Sequence, residues 1–244
     1  MSSVMPHPRS GRSDGEPPAA AAASLVRVDG VSKAYRAGNV ETRVLRDVRL
    51  ALARGETASL TGVSGSGKST LLSLLAGLMV PESGEVVFDG QDIVALDDVG
   101  RARLRAGHIG VVLQSGNLIP FLTAAENVEM AIKLGGGDRP GERARELLAE
   151  VGLADRLDHR PRRLSGGEAQ RASVAMALAN QPDLLLADEV TGELDSASAE
   201  RVMATIFGAS RDHGLTVLYV THNDELAARA ERRLRLVDGG VARA

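Results

Sequence analysis

The sequence predicts an α/β domain built around a largely parallel sheet, and three features of its pattern support this fold class. A glycine-rich loop at 62–70 lies between an apolar run and a leucine-rich helical stretch. Two nearly continuous apolar runs, at 183–187 and 215–220, are typical of parallel strands that are covered on both faces. Short strand patterns separated by glycines begin at residue 25. Strands and helices therefore alternate along most of the chain.

Length and composition restrict the class of protein. With 244 residues, 43% hydrophobic content and 25% charged residues, the chain can form one compact unit with a substantial core. Its net charge of -3 provides no basic excess for neutralising the phosphates of DNA or RNA, so we expect no nucleic-acid partner. The absence of cysteine excludes disulfides, thiolate metal sites and cysteine nucleophiles.

The first 24 residues differ in composition from the rest. They are rich in Ser, Pro, Gly and Ala and lack apolar periodicity, so residues 1–24 are predicted to be a flexible tail. Their alanine run at 19–23 is too short and too weakly apolar for the core of a secretory signal. The strongest apolar window, 71–80, falls well short of the ~20 residues that span a bilayer. We therefore expect neither secretion nor a membrane crossing.

The remaining chain, residues 25–244, is predicted to be a single domain. Its first part is rich in strand patterns, with turns expected at Gly38, Gly55 and Gly84. These early strands are predicted at 25–28, 48–53, 56–60 and 85–88. Helical patterns then dominate at 124–134 and 141–151, joined by a flexible glycine-rich connection. The chain leaves the main sheet and later returns to it, which predicts a helical subdomain inserted at approximately 115–165.

The loop at 62–70 reads Gly-Val-Ser-Gly-Ser-Gly-Lys-Ser-Thr, a complete G-x-x-x-x-G-K-[ST] motif. Its glycines let consecutive N–H groups face the phosphates of a nucleoside triphosphate, and the following helix adds its positive dipole end. Lys68 should reach the β- and γ-phosphates, and the Ser69 hydroxyl should coordinate Mg²⁺. The alternative is an ordinary glycine-rich turn, but the strand and helix on either side favour the nucleotide. The predicted contacts to nucleotide in this loop are Gly62, Ser64, Gly65, Ser66, Gly67, Lys68, Ser69 and Thr70.

Polar side chains stand at the ends of three later apolar runs. Ligands of α/β sheets bind at the carboxyl ends of the strands. Asp188 is predicted to hold Mg²⁺, and Glu189 to polarise the water that attacks the γ-phosphate. His222 is placed to contact the γ-phosphate and the attacking water. Gln114 could sense both Mg²⁺ and that water. Taken alone, the two acids could be a solvated strand end and His222 a structural histidine.

Residues 164–171 read Leu-Ser-Gly-Gly-Glu-Ala-Gln-Arg and closely resemble the signature sequence of ATP-binding-cassette (ABC) ATPases. The segment lies between the Gln114 region and the acidic strand, in the order that this family requires. The resemblance covers nearly all of 25–240. It implies a P-loop NTPase (RecA-like) core with an N-terminal antiparallel β subdomain and an inserted α-helical subdomain. From the residues alone, the small side chains lead into a helix at 168–179 whose free N–H groups suit an anion.

The resemblance also implies a head-to-tail homodimer that sandwiches two ATP molecules and hydrolyses them. Each phosphate loop would face the signature residues Ser165, Gly166 and Gly167 of the other copy. Tyr35 matches the aromatic residue that stacks on adenine, although a lone tyrosine could equally be a core residue. Asp195 matches the residue that crosses the dimer interface.

A chain of this kind is expected to dock onto an integral membrane permease, through a groove near Gln114. It would be cytoplasmic and peripheral on the inner face of the cell membrane. Four segments, at 90–93, 104–110, 114–120 and 122–128, are most similar to the branch that serves lipoprotein release and macrolide export. The sequence departs from the usual pattern of that branch at Gly116, Val190 and Asn223.

Two other functions are compatible with this family. One is a regulatory ABC ATPase that signals through a membrane partner without transport. The other is a soluble, non-transport ABC ATPase acting on DNA or ribosomes, which would be expected to show tandem cassettes or a long coiled coil; this sequence shows neither. The basic segment at 159–163 could contact lipid or phosphate, or could be a solvated loop before the signature.

Overall fold

The computed structural model describes residues 24–38, 40–114, 117–192 and 194–244, which form two sheets and a set of helices. All but one residue of the predicted flexible tail lie outside the described residues. No helix within the described ranges combines the length and the apolar character needed to cross a bilayer.

The first sheet is antiparallel and has four strands in the order β2-β1-β4-β5. The strands are β1 (Ser24–Ala37), β2 (Val40–Ala53), β4 (Ser83–Phe88) and β5 (Gln91–Asp92). The short strand predicted at 25–28 is wrong in length, because β1 continues to Ala37 through several register shifts while it pairs with β2. Pairing with a long neighbour thus extends the strand through residues that lack regular alternation.

Gly84 does not form the turn that the sequence predicts. It lies inside β4 with φ +89, where β4 crosses the irregular part of β1. A Cβ at this position would lie 2.5 Å from the carbonyl carbon of Gly30, which is too close for any side chain. The glycine is therefore required by the close approach of two strands rather than by a chain reversal.

The second sheet has six strands in the order β10-β9-β3-β8-β7-β6, all parallel except β10. Its strands are β3 (Thr57–Thr61), β6 (Ile109–Val112), β7 (Leu184–Asp188), β8 (Thr216–Val220), β9 (Arg232–Val237) and β10 (Gly240–Arg243). Every residue of β7 and β8 is buried. The prediction of parallel strands covered on both faces is confirmed for these two apolar runs.

In the described part of the chain, seven α-helices connect or cover the strands. They are α1 (Lys68–Leu75), α2 (Asp98–His108), α3 (Ala124–Leu134), α4 (Pro140–Glu150), α5 (Gly166–Ala177), α6 (Ser196–His213) and α7 (Asp224–Ala227). Two 3₁₀ turns, Ala154–Arg156 and Pro161–Arg163, follow α4. Helix α3 has the predicted bounds, and it begins where Thr123 and Glu126 form a reciprocal capping box. Helix α6 ends at Gly214 in a left-handed conformation.

Three groups of buried side chains hold these elements together. The first packs the antiparallel sheet and α1 against one face of the parallel sheet, and the second packs α6 against the other face. The third joins α3, α4 and α5 into a helical lobe around residues such as Val128, Leu148 and Ala172. Val174 of α5 belongs to the second group, so this helix ties the lobe to the parallel sheet. The N-terminus of α5 carries the predicted signature.

Candidate active site

One edge of the parallel sheet gathers the ends of four strands that precede predicted site residues. Leu60 of β3 is in register with Val220 of β8, and Val220 is in register with Asp188 of β7. On the next strand, Val112 of β6 is in register with Ala187. Because the strands are parallel, the segments that follow them emerge at the same edge. The phosphate loop, His222, the two acids and Gln114 are therefore brought to one edge of the sheet, as the sequence predicts.

The phosphate loop encloses the ammonium group of Lys68. The ammonium group of Lys68 donates hydrogen bonds to the carbonyl oxygens of Gly62 and Val63, each at 3.0 Å. Lys68 is only 6% exposed although it is the first residue of α1. A buried ammonium is costly unless it has such acceptors. Its charge is thus held within the loop, where it suits a phosphate.

Two glycines of the loop lie where no side chain fits. A Cβ on Gly62 would lie 2.7 Å from the carbonyl oxygen of Leu236 in β9. Gly67 has φ +106, and a Cβ there would lie 2.9 Å from the carbonyl oxygen of Val44 in β2. The backbone of the loop is therefore packed directly against strands of both sheets.

The phosphate loop also contains a hydroxyl group that is suited to a phosphate ligand. The Ser66 hydroxyl is buried and, among the described residues, has no hydrogen-bond partner. Such a group is rare unless it awaits a ligand or water. Together with the glycine cradle and the buried Lys68, it fits the triphosphate of ATP. Ser64, Gly65 and Ser69 are exposed on this loop, and Thr70 is partly buried behind it.

Asp188 and Glu189 occupy different environments although they are adjacent. Asp188 closes β7 and is only 8% exposed, which suits a cation ligand better than a solvated strand end. Glu189 has the left-handed φ of +48, which is uncommon for any residue other than glycine. Its backbone N–H donates to the carbonyl oxygen of Val220 at 3.2 Å. The left-handed turn redirects the chain immediately after the strand, and no local sequence signal indicated it.

Glu189 and His222 are in direct contact. The Oε1 atom of Glu189 lies 2.7 Å from the Nε2 atom of His222, and the two side chains are 22% and 50% exposed. The sequence placed both residues near the attacking water but did not predict that they pair. The pair lies in a cavity of about 590 Å³. Its lining includes Glu189, Gly192, Leu194, Ser196, His222 and Asn223.

The turn that carries His222 is fixed by its neighbours. Asn223 donates its backbone N–H to the Thr221 hydroxyl at 3.1 Å, and its side-chain oxygen caps α7. At the end of that short helix, the Tyr219 hydroxyl donates to the carbonyl oxygen of Leu226 at 2.6 Å. Burial raises the pKa of Tyr219 to about 12, so this donor keeps its proton. Asparagine caps a helix as well as aspartate does, which accounts for the departure at position 223.

The other two departures from the family pattern have different outcomes. Val190, in place of proline, is buried in the second core group, where an apolar side chain is accommodated. Gly116 lies outside the described residues. Two residues earlier in the chain, Gln114 is exposed after β6. Asn117 fixes the backbone around Gln114, since its side chain accepts from the N–H of Leu113 at 2.6 Å and donates to the carbonyl of Val111 at 2.9 Å.

Tyr35 lies beside the helix of the phosphate loop. It is 44% exposed, which rules out the alternative that it is a core residue. Its hydroxyl is 3.2 Å from the Thr70 hydroxyl and contacts the sulfur of Met79 at 3.7 Å. An exposed ring tied to the loop in this way is available for stacking on a base.

The signature residues begin α5. Ser165 caps the helix and forms a capping box with Glu168, while Gly166 and Gly167 are its first two residues. A Cβ on Gly167 would lie 3.2 Å from the Ser198 hydroxyl in α6, so the two helices meet closely here.

Asp195 caps the neighbouring helix, α6. Its Oδ1 atom accepts from the N–H of Ser198 at 3.0 Å. Hydrogen bonds from the side chain and backbone of Ser198 hold the pKa of Asp195 below its usual value. Glu193, two residues earlier in the same segment, lies outside the described residues.

The signature and the phosphate loop belong to different packing groups. Helix α5 packs on β6, α3, α4 and α6, whereas α1 packs on β2 and β7. Ser165, Gly166 and Gly167 therefore start a helix of the lobe, while the loop is built into the two sheets.

Comparison with known proteins identifies relatives of the whole cassette. Residues 45–192 match the family model described as "ABC transporter". The lipoprotein-releasing system ATP-binding protein LolD of Geobacter metallireducens is 46% identical over 220 residues, covering 89% of this chain and 98% of LolD. The macrolide export ATP-binding/permease protein MacB of Syntrophobacter fumaroxidans is 44% identical over 221 residues, covering 89% of this chain but 31% of MacB.

A solved structure supports the same assignment. The post-hydrolysis dimer of the ATP-binding cassette MJ0796, bound to ADP and Pi, superposes with a TM-score of 0.85 at 39% identity. The match covers 90% of this chain and 97% of that one. The predicted fold class, the ATPase activity and the similarity to the lipoprotein-release and macrolide-export branch are confirmed by these matches. The chain belongs to the ABC transporter family, as an ATP-binding and ATP-hydrolysing subunit.

Proposed function

We propose that the chain powers a separate membrane permease, as a homodimer that closes over two ATP molecules and opens after hydrolysis. The observation that carries this proposal is the Glu189–His222 pair, at 2.7 Å, on the sheet edge that also presents the phosphate loop. Residues 25–244 would act as one nucleotide-binding domain, with the helical subdomain at approximately 115–165 inserted in it.

Each residue of the site has a proposed role in ATP hydrolysis. The phosphate loop and the charge of Lys68 bind the β- and γ-phosphates, while Tyr35 stacks on the adenine. Glu189 accepts a proton from the attacking water, and His222 orients Glu189 and contacts the γ-phosphate. Positioning and electrostatics supply most of the acceleration in this type of phosphoryl transfer.

The oxygen donors of the site fit Mg²⁺. Ser69 offers a hydroxyl, Asp188 a buried carboxylate and Gln114 an amide oxygen, and Mg²⁺ prefers oxygen ligands of this kind. These three residues would hold the ion together with the nucleotide. When bound, Mg²⁺ neutralises charge on the phosphate oxygens.

The homodimer would complete the site in trans. Ser165, Gly166 and Gly167 of one chain would bind the γ-phosphate held by the other chain's loop, and Asp195 would lie at the interface. The packing supports this arrangement because α5 and α1 belong to different groups of contacts. It is also supported by MJ0796, whose solved structure is a dimer bound to ADP and Pi.

The proposed permease site is an apolar groove of about 690 Å³ between α2, α3 and the outer strand β6. Val99 and Leu134 are 55% and 70% exposed on it, so the groove presents large apolar side chains to solvent. The Asn180 amide donates to the carbonyl oxygens of Ala106 and Ala131, each at 2.8 Å, and so fixes α2 against α3. The groove lies next to Asn117, which holds the backbone around Gln114.

The MacB comparison supports a permease partner. This chain spans 31% of MacB, which is named as an ATP-binding and permease protein in one chain. LolD, of nearly equal length to this chain, is named for lipoprotein release. We therefore place this chain in the cytoplasm, peripheral to the inner face of the membrane, and propose export or extraction of lipoproteins, lipids, peptides or drugs.

The proposal is tested by isolating the partner. Tagged Glu189→Gln is expressed in the native host, trapped with ATP and purified from solubilised membranes, and co-purifying proteins are identified by mass spectrometry. We expect a stoichiometric integral membrane protein. Ribosomal or DNA-associated proteins without a membrane partner would contradict transport and favour the soluble alternative. If a membrane partner is found but the complex moves no solute after reconstitution into vesicles, the signalling alternative would be favoured.

The groove itself gives a matched test in the same experiment. Leu134→Glu places a charge on the apolar groove. It is expected to lower the amount of co-purified permease strongly, because burying an unpaired charge in an interface is costly. Val237→Glu is the control, since Val237 is also exposed but lies on β9, outside the groove. Equal loss of permease in both variants would argue against this docking surface. Both variants should remain soluble when purified alone and should still bind ATP.

A further inference from the structure

The signature of this chain contains an acidic residue close to the proposed phosphate site. Glu168 is the third residue of α5, three residues after the Ser165 cap. One turn of helix rises only about 5.4 Å, whereas the screening length at physiological salt is about 8 Å. A carboxylate here would therefore repel a γ-phosphate bound at the start of the helix, unless its charge is compensated.

Both oxygens of the Glu168 carboxylate have a partner. Oε2 accepts from the backbone N–H of Ser165 at 2.8 Å, and Oε1 accepts from Nε of Arg156 at 2.9 Å. The hydrogen bond from the Ser165 N–H has the larger effect and the one from Arg156 the smaller, and both hold the pKa of Glu168 below its usual value. The residue is thus a carboxylate at neutral pH, and its charge is paired with a cation on a different segment of the lobe.

The fold of the lobe fixes Arg156 in this position. Arg156 ends the 3₁₀ turn at Ala154–Arg156, and its backbone N–H donates to the carbonyl of Leu153 at 3.0 Å. Leu153 is fully buried in the third core group. The carbonyl of the following residue, Leu157, accepts from the N–H of Ala125 in α3 at 3.0 Å. The guanidinium therefore approaches Glu168 from an anchored backbone rather than from a free loop.

The capping arrangement leaves specific donors open at the helix start. The N–H of Glu168 donates to the Ser165 hydroxyl, and that of Ala169 donates to the Ser165 carbonyl. Within the described part of the chain, the N–H groups of Gly166 and Gly167 have no such partner. These two N–H groups can bind an anion only if the negative charge of the neighbouring Glu168 carboxylate is compensated.

We propose that Arg156 is a positioning residue for the ATP sandwich: it neutralises Glu168 and holds that carboxylate on the Ser165 N–H, so that the start of α5 can receive the γ-phosphate of the partner chain. The inference rests on the proposed homodimer. It assigns a role in dimer closure to a residue outside the signature, at the end of the 3₁₀ turn Ala154–Arg156.

The experiment is a double-mutant cycle on ATP-driven dimerisation, measured by sedimentation in a Glu189→Gln background. Arg156→Ala is combined with native Glu168 and with Glu168→Gln, whose amide oxygen still accepts from the Ser165 N–H. With native Glu168, we expect Arg156→Ala to weaken dimerisation by about 5- to 10-fold, the effect of one uncompensated charge near an anion at a partly exposed site. With Glu168→Gln, the same change should cost less than about 2-fold, since no charge remains to be neutralised.

Two further readings separate this role from a structural one. ATP binding by the single chain, followed with a fluorescent ATP analogue, should not change in Arg156→Ala, because the phosphate loop is untouched. The dimerisation defect should shrink at 1 M salt, where the screening length falls to about 3 Å. An equal loss from Arg156→Ala in both Glu168 backgrounds would overturn the proposal, since the arginine would then act through the fold. If the parent Glu189→Gln chain does not dimerise with ATP, the homodimer itself is wrong and this inference fails with it.

Discussion

Glu189→Gln is expected to retain ATP binding and to lose at least ~10²-fold in ATP turnover, because a positioned general base contributes about that much. The substitution preserves the size of the side chain and its contact with His222, which lies 2.7 Å from Oε1. It removes the basic carboxylate that accepts the proton of the attacking water. Steady-state phosphate release and equilibrium ATP binding, measured on the same preparation, separate the two effects.

A matched acid in the same cavity provides the control. Glu225 also lines the cavity of the Glu189–His222 pair, but it is exposed at the first turn of α7. Glu225→Gln should hydrolyse ATP at a rate close to that of the unmodified chain. Near-normal turnover in Glu189→Gln would remove the role that we assign to this carboxylate, and an equal loss in both variants would indicate a general charge effect.

Ser165→Arg is expected to abolish ATP hydrolysis while leaving ATP binding by the single chain intact. Ser165 starts a helix of the lobe, away from the packing group of its own phosphate loop. A long arginine at the cap would occupy the space that the partner's γ-phosphate needs and would remove the hydroxyl that accepts from the N–H of Glu168. ATPase activity and nucleotide affinity are the two measurements, and full hydrolysis in this variant would argue against the sandwich.

Loss of a helix cap alone costs about 1 kcal/mol of stability, so a second variant must show that the effect is local. Thr123 caps α3 with the same capping box, formed with Glu126 instead of Glu168. Thr123→Arg should lower the free energy of unfolding by a similar amount and should still hydrolyse ATP. If Thr123→Arg also loses hydrolysis, the defect of Ser165→Arg cannot be attributed to the signature.

The features predicted correctly from the sequence depend on local patterns. The glycine loop, the bounds of α3 and the buried runs of β7 and β8 each follow from residues that are close in the chain. The order of the motifs was enough to identify the family. The placement of His222, Asp188 and Glu189 at one sheet edge followed from the parallel arrangement of their strands.

The features that sequence reasoning missed depend on contacts between distant segments. Gly84, where the sequence predicts a turn, is instead required by the close approach of the Gly30 backbone. The left-handed turn at Glu189 is stabilised by Val220 on the neighbouring strand. No periodicity or spacing signals such contacts, because they arise only when strands from different parts of the chain pack together.

The measurement that tests the account most directly is the mass of Glu189→Gln in solution with and without ATP, determined by light scattering. The chain has a mass of 25.5 kDa. We expect a single chain without nucleotide and a mass twice as large with ATP, and no such increase when Ser165→Arg is added to the same chain. A mass that stays at that of one chain while ATP is bound would contradict the proposal that two copies complete each other's active sites.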